Sequence, residues 1–459
     1  MDLKSFFQSA WVWLLAIIGP VCAFILKELF SFILNVFFGK AGKRIPSTLE
    51  KIRKKRTDRF IKTLNSEEYM HFLYLYLKDY YGETFFSESR DGDKIPVFSI
   101  RYGRPDDRAD GIRYFDKLGN KEGIDFRFEA AEHQTYKKLS YYKEYHRLVG
   151  ANILAPDRPG FMLDEILTNE AGMTQFKASI GTYAENIYSD HVLEYELFKL
   201  FKFYRRKSKK ESADKLLEKC RQQSDIRNAM HASVKAERSS PLFQEQMRRS
   251  LLSGEGRRSL LSVQMLVLIK LRDRNDYGIM IIQRSKHVAA APGRIQLVPS
   301  GGFEILNDAI DGYSNYELQD NYSAGCAVFR EYLEEIFGEE EFEGRGVGSV
   351  NEALMKDDRI RVIERLLKSG EADLRFLGSV MDLAGLRHEL SFVLVIHNED
   401  YNDQKFRGNE EILNRTFISD VRLRNFESRE DIWKNLHGPS AAMWKLFRET
   451  DLYRELIAK

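Results

Sequence analysis

The sequence predicts an α/β protein: a mixed α+β domain followed by a C-terminal α/β/α sandwich, both preceded by an N-terminal transmembrane helix. Three observations predict this class. Residues 10–26 form an uncharged apolar run. Residues 57–202 mix helical and strand patterns, and residues 258–459 alternate apolar strand-like runs with amphipathic helical ones. A chain of 459 residues is long enough for two or three domains.

The composition indicates a folded protein with a packed core and argues against a nucleic-acid-binding or disulfide-rich protein. The chain is 43% hydrophobic and 31% charged, so it can bury a packed core. Its net charge of +2 argues against a nucleic-acid-binding surface along the whole chain, and we expect no nucleic-acid partner. The three cysteines, Cys22, Cys220 and Cys326, lie far apart, which indicates neither a disulfide framework nor a zinc site and fits a reducing compartment.

The N-terminal apolar segment predicts a membrane anchor within residues 1–40. Residues 10–26 are 17 uncharged residues, which as an α-helix span roughly 26 Å and match a bilayer core. A second apolar run, residues 29–39, follows directly after Lys27 and Glu28. The segment therefore fits a membrane-spanning element, with the lipid bilayer as a partner.

Several conformations of this segment are open. It could be one spanning helix kinked near Gly19 and Pro20 and followed by an interfacial helix, or one long tilted helix. A buried core helix is the alternative to an anchor. A cleaved signal peptide does not fit, because the positive charge lies on the wrong side of the apolar run.

A basic juxtamembrane stretch, residues 41–56, follows the predicted anchor. Eight lysines and arginines lie between Lys40 and Arg56, whereas Lys4 is the only basic residue before the apolar run. The positive-inside rule therefore places the soluble domains in the cytoplasm. The same positive charges would lie against anionic lipid headgroups.

The rest of the chain divides into three predicted segments. Residues 57–202 form a mixed α+β domain, whose first helix begins at Ser66 with a capping-box-like pattern. Residues 203–257 are highly charged and predict a helical connector. Residues 258–459 carry a strand hairpin, further strands and a closing helix, which is the pattern of an α/β sandwich.

The run "AVFREYLEEIFG", residues 327–338, is the most informative stretch. Its apolar residues recur at helical spacing and predict one buried side. Glu331, Glu334 and Glu335 then share a face at i, i+3 and i+4, where like charges repel. Either water screens this face as an ordinary solvated surface, or a cation holds the carboxylates together.

The order of motifs resembles the Nudix hydrolase superfamily, whose box reads G-x5-E-x7-R-E-U-x-E-E-x-G-U, with U aliphatic. A hairpin ending in "QRS" is followed by "PSGGFE" and then by the helix with "REYLEE". The resemblance covers roughly residues 261–417. Gly301 and Gly302 correspond to the first glycine of the box, and the R-E-x-x-E-E core corresponds to Arg330, Glu331, Glu334 and Glu335.

This sequence departs from the family pattern in two places. The spacing between Gly302 and Arg330 is about twice that of the box, which indicates an insertion between the glycine loop and the helix. The first glutamate of the box has no direct counterpart, and Glu317 is the candidate. The closing glycine is displaced, because Phe337 holds its place and Gly338 follows.

The resemblance implies chemistry at a divalent cation, Mg²⁺ or Mn²⁺, held by Glu331, Glu334 and Glu335. Mg²⁺ prefers oxygen ligands, and a cation of this kind neutralises phosphate charge and lowers the pKa of a water. Glu331 would be a metal ligand or the general base. Gly301 and Gly302 would allow close backbone approach.

Other catalytic candidates follow from the same resemblance. Arg330 is expected to pair with a box carboxylate and fix its rotamer, a role that suits a guanidinium. Nudix enzymes often recruit another acid from a later loop, and Glu410 and Glu411 are the candidates in this chain. The alternative is that these two residues belong to an ordinary surface loop.

Three functions remain open from the sequence. The first is a membrane-anchored hydrolase that cleaves a pyrophosphate linkage in a nucleotide derivative. The alternative is a Nudix-like domain that binds a nucleotide-derived small molecule and signals to the membrane helices without turnover. With either function, the membrane helices could support a homo-oligomer. A purely structural membrane adaptor would leave the clustered glutamates unexplained.

The anchor can be tested directly. Because residues 10–26 are long and apolar enough to span a bilayer, the whole chain should sediment with membranes and resist carbonate extraction. A chain beginning near Thr57 should stay in the supernatant without detergent and serves as the control. Recovery of the whole chain in the soluble fraction would make the segment a core helix instead.

Overall fold

The structure is a computed structural model of the chain. It describes residues 44–88, 92–101, 124–125, 145, 159–168, 174–272, 274–284, 293–305, 318, 321–338, 350–403 and 421–458. Residues 1–63 and 64–459 form two compact units.

In the first unit, the described residues are 44–63, which belong to helix α1 (Arg44–Leu64) and include most of the basic stretch. Of the helices in the described ranges, none combines the length and apolar character needed to cross a bilayer. The predicted anchor, residues 1–40, lies outside the described residues. The anchor and the orientation of the domains therefore stay predictions.

The second unit contains both helices and strands, as the α/β prediction requires. A π-helical turn (Ile187–His191) joins α3 to α4. The helices are α2 (Glu67–Tyr81), α3 (Tyr183–Asn186), α4 (Val192–Lys207), α5 (Ala213–Gln222), α6 (Asp225–Met230), α7 (Pro241–Leu252), α8 (Ala324–Phe337), α9 (Val350–Lys356), α10 (Asp358–Ser369), α11 (Glu430–Trp433), α12 (Gly438–Arg448) and α13 (Asp451–Ala458).

The strands range from two to eleven residues. They are β1 (Ser87–Glu88), β2 (Lys94–Ile95), β3 (Val97–Ile100), β4 (Ile124–Asp125), β5 (Pro159–Thr168), β6 (Thr174–Thr182), β7 (Ser259–Leu260), β8 (Ser262–Lys270), β9 (Tyr277–Ile279), β10 (Ile281–Gln283), β11 (Ile295–Leu297), β12 (Ser300–Gly302), β13 (Ala372–Asp382) and β14 (Arg387–Ile396).

The largest sheet has the strand order β12-β8-β14-β13-β3, and β9 pairs with β8 as a sixth strand. β8 and β14 are parallel, and the other neighbours are antiparallel. A second sheet has the order β4-β6-β5-β7. Since β3 pairs with β13, and β5 pairs with β7, both sheets combine strands from the predicted N-terminal and C-terminal segments. The segment boundaries at residues 202 and 257 stay predictions.

Local signals explain several element ends. The Ser66 side chain accepts a hydrogen bond from the N–H of Tyr69, so the predicted start of α2 is confirmed. The expected single closing helix is instead two helices, α12 and α13. The break lies at Thr450, whose side chain accepts from the N–H of Tyr453 and so begins the second helix.

The core lies on both faces of the largest sheet. Along β8, Val263, Met265 and Val267 point into a cluster shared with α8 and α10. Leu266 and Leu268 point the other way, into a cluster shared with α12 and α13. Successive side chains of a strand face opposite sides, so helices cover both faces. This explains why the central strands read as nearly continuous apolar runs.

Burial in the central strands should dominate the stability of the second unit. Leu394 in β14 is fully buried, and truncation to alanine should cost roughly 2–5 kcal/mol because it leaves a cavity. Leu242 in α7 is 57% exposed and is the matched control, with an expected change within about 0.5 kcal/mol. Urea-unfolding midpoints measure both. Equal midpoints for Leu394→Ala and the wild type would contradict this core.

Candidate functional site

The glutamate-bearing helix α8 has defined ends. The Ser323 side chain accepts a hydrogen bond from the N–H of Cys326 and caps the first turn. Gly338 ends the helix in the left-handed conformation, with φ of 66°, which glycine adopts without strain. Phe329, Leu333 and other apolar residues of α8 are buried in the core. These contacts fix which side of the helix carries the acids.

The acidic side of α8 packs against the glycine edge formed by β12. Glu331 is only 9% exposed. A Cβ on Gly301 would lie 2.0 Å from the Glu331 Cδ atom, so any other residue at this position would force the carboxylate to move. The sequence left open a water-screened face. For Glu331 that interpretation is wrong, because the β12 backbone covers it.

Arg330 ties the helix to the glycine edge. Its Nη2 donates to the Gly302 carbonyl oxygen at 2.7 Å and to Glu331 Oε1 at 2.6 Å. Its Nε lies 3.7 Å from Glu334 Oε1. The predicted pairing of Arg330 with a carboxylate of the motif is therefore present, and it orients Glu331.

The carboxylates at this edge resist ionisation. The Glu335 carboxylate accepts the Ser300 N–H at 2.8 Å. Burial first, and the nearby Glu331 second, raise the pKa of Glu335 to about 8. Burial also raises the pKa of Glu331, with Arg330 opposing the shift. A cation placed between these groups would relieve both penalties.

The carboxylate oxygens of Glu331, Glu334 and Glu335 are ligands of the kind that a hard divalent cation prefers. They do not form a complete coordination shell by themselves. The described ranges contain no cluster of three or more His, Cys, Asp or Glu side chains that could hold a metal ion. Mg²⁺ commonly uses only one or two protein carboxylates and completes its shell with waters and substrate phosphates. Glu331 and Glu335 offer oxygen ligands side by side at β12, and Glu334 lies beside Arg330 at the rim. These residues fit Mg²⁺ or Mn²⁺ by chemistry.

Three further charged residues at this site were missed by the sequence analysis. Glu304 acts electrostatically on both Arg330 and Glu331. Arg284 faces Glu335 and Glu389, and burial lowers the pKa of Arg284. In the sequence, Glu304 stands two residues after Gly302, Arg284 directly follows β10, and Glu389 lies near the start of β14. No local pattern distinguishes these three residues from ordinary surface charges.

Glu389 extends the site across the sheet. Ser262 in β8 pairs with Gly302 on one side and with Glu389 on the other. The alternation along β14 turns Glu389 away from the α8 face, because its neighbour Leu390 points to that face. Burial raises the pKa of Glu389 to about 7, although the positive charges of Arg387 and Arg284 act to lower it. Glu389 is connected to Glu335 through Arg284, which acts electrostatically on both carboxylates.

Some predicted site residues cannot be placed. Glu410 and Glu411, and the candidate box glutamate Glu317, lie outside the described residues. Their proposed roles stay predictions. The contact of α8 with β12 brings the other predicted site residues together. They are Gly301, Gly302, Arg330, Glu331, Glu334 and Glu335.

No model of a protein family matches the sequence, and no curated protein matches it.

The raised pKa of Glu335 predicts a pH-dependent stability. A carboxyl with a folded-state pKa of about 8 and an ordinary value of 4.5 stabilises the fold most below pH 4.5, and this contribution falls as the pH rises to about 8. Glu335→Gln removes the titration. In EDTA, the melting temperature of the wild type relative to Glu335→Gln should therefore fall by several degrees between pH 5 and pH 8.

The control is Glu245→Gln in α7, whose carboxylate is exposed beside Arg249. Its melting temperature should follow that of the wild type at every pH. A constant difference between the wild type and Glu335→Gln across this range would show that Glu335 titrates normally.

Proposed function

We propose that the chain is a membrane-anchored, Nudix-type hydrolase that uses Mg²⁺ or Mn²⁺ to cleave a pyrophosphate linkage in a nucleotide derivative. One observation carries the proposal: Arg330 and the carboxylates of Glu331 and Glu335 are packed onto the glycine edge at residues 300–302. A solvated helix face would not need Gly301, whose hydrogen makes room for Glu331.

The architecture supports the same proposal. The glycine edge, the helix with the R-E-x-x-E-E pattern and the mixed sheet follow one another in the order that the family resemblance predicts. Helices cover both faces of that sheet, which is the layering expected of an α/β/α sandwich. Because fold does not determine function, the proposal depends on the site and not on this layering.

The residues divide the chemistry between them. When bound, the cation would supply charge neutralisation at the phosphates and a more acidic water. Arg330 holds Glu331 in one orientation through the 2.6 Å contact. A carboxylate with a raised pKa is a suitable general base near neutral pH, so Glu331 can accept the proton of the attacking water. The water oxygen bonds to phosphorus as the bridging phosphorus–oxygen bond breaks.

The anchor adds a location to this chemistry. The apolar residues 10–26 and the basic residues 40–56 support attachment to a bilayer with the soluble domains in the cytoplasm. An enzyme held this way would act on a cytoplasmic nucleotide derivative. Homo-oligomerisation through the membrane helices belongs to the same proposal.

The decisive experiment measures cleavage and metal response together. The whole chain in detergent is incubated with Mg²⁺ and a panel of dinucleoside pyrophosphates, and products and melting temperatures are recorded. Glu331→Gln should lower the rate by roughly 10²–10⁴-fold, as expected for loss of a general base. Glu334→Gln and Glu335→Gln should lose the metal-induced rise in melting temperature while their apo forms keep, or slightly exceed, wild-type stability.

Arg330→Ala is expected to behave differently. Arg330 is 5% exposed and paired with the buried Glu331 carboxylate, so its removal takes away the cation beside a buried acid and should destabilise the apo fold by about 3–5 kcal/mol. Glu245→Gln is the surface control. A metal-dependent shift without cleavage would favour the nucleotide-sensing alternative. If Mg²⁺ raises the melting temperature of the wild type no more than that of Glu334→Gln, both the hydrolase and the metal-dependent nucleotide-sensing functions are refuted.

A further inference from the structure

A cavity of about 420 Å³ lies apart from the glutamate helix. Its walls come from α2, from residues 93–97, from the end of β13 and its following turn, and from the start of α12. This volume falls in the range of ordinary small-molecule pockets, roughly 300–1,000 Å³. Its described lining includes none of Glu331, Glu334 and Glu335, so it is not the site discussed above.

The buried floor of the cavity carries two carboxylates, Glu194 and Asp382. Both contact Arg387: its Nη2 lies 3.2 Å from Glu194 Oε1 and 3.8 Å from Asp382 Oδ2. Asp382 Oδ1 accepts the Ala384 N–H at 2.9 Å. Burial raises the pKa of Glu194 to about 7. The lining therefore offers two carboxylates that can accept hydrogen bonds from a ligand.

His437 provides a second unmatched group at the start of α12. It is 6% exposed, and neither ring nitrogen has a hydrogen-bond partner among the described residues. Burial, together with Arg284 and Arg387, holds its pKa well below the ordinary value, so the ring is neutral at pH 7. A neutral imidazole carries one donor and one acceptor, and burying both unpaired costs free energy. A ligand with a matching acceptor and donor would satisfy the ring.

The walls between these polar groups are apolar and aromatic. Tyr69, Leu73 and Val97 are buried side chains of the lining. Trp433 also lines the cavity, and its indole N–H donates to the Phe426 carbonyl at 2.8 Å, which fixes the ring. Flat apolar surfaces of this kind suit a planar ring.

The charges of the cavity argue against a phosphorylated ligand. The floor holds Glu194 and Asp382, which would repel a phosphate. The rest of the lining carries two acids, Asp93 and Glu430, and two bases, Arg294 and Lys434, so the acids of the whole lining outnumber the bases. A neutral or weakly basic ligand is favoured, in contrast to the pyrophosphate substrate proposed for the glutamate site.

We propose that this cavity is a second small-molecule site, which binds a planar nitrogen heterocycle with an exocyclic amino group, such as an unphosphorylated nucleobase or nucleoside. An amino group can donate to the Glu194 carboxylate, since carboxylates accept from base amino groups. A ring nitrogen and its neighbouring group can pair with His437. The ring faces can lie between Tyr69 and Trp433. This inference does not depend on hydrolysis at the other site.

Calorimetric titration of the whole chain in detergent, with EDTA present, tests the inference. Guanosine is compared with inosine, which lacks its amino group, and cytidine with uridine, which carries an oxygen in place of the amino group. At least one amino nucleoside should bind, and its partner should bind at least tenfold more weakly. Guanosine or cytidine monophosphate should also bind more weakly than its nucleoside. Putrescine, a flexible aliphatic diamine, should not compete.

Two variants locate the binding. Glu194→Gln should weaken the amino nucleoside at least tenfold. Because Glu194 also contacts Arg387 and the variant could destabilise the fold, Ala441→Leu provides an independent test, since it adds apolar volume at a lining position and changes no charge. The folded variant should bind at least tenfold more weakly, with its melting temperature recorded alongside because Ala441 is buried, and Glu245→Gln should bind like the wild type.

Several outcomes would overturn the inference. They are no binding by any amino nucleoside, equal binding by the paired nucleosides, competition by putrescine, or undiminished binding by folded Ala441→Leu. Since the titration contains EDTA, failure here leaves metal-dependent cleavage untouched, and loss of cleavage leaves this inference standing.

Discussion

The close approach of Glu331 to the backbone of Gly301 is the constraint on which the candidate site depends. The carboxylate occupies the space where a side chain at residue 301 would begin. Arg330 reinforces this contact, because one nitrogen bridges the Gly302 carbonyl and Glu331. Helix and strand edge are thereby held in a single register, and the remaining acids of the helix take their positions from it.

Holding acids this close has an electrostatic consequence. Carboxylates that are desolvated and adjacent bind protons more tightly than in water. The Ser300 N–H offsets only part of that penalty at Glu335. Such an arrangement stabilises the fold less than neutral side chains would, and it makes the site responsive to any cation. Preorganised but unfavourable charge of this kind is characteristic of functional sites.

Two arginines outside α8, Arg284 and Arg387, influence carboxylates at both the glutamate site and the cavity. Arg284 acts on both Glu335 and Glu389, and with Arg387 it influences Glu194 on the cavity floor. The glutamate site and the cavity therefore share buried arginines, although they have different linings.

Much of this protein follows from local pattern. Helical periodicity located α8, the apolar runs located β8 and β14, and Ser66 marked the start of α2, because periodicity and capping act within a few residues. The R-E-x-x-E-E and glycine motifs could be read as one site before any contact was known. Only the tertiary structure decided that Glu331 is covered and not solvated, since that depends on how β12 pairs with β8. Likewise, Glu194 and His437 meet at one cavity through long-range packing, which no local sequence pattern encodes.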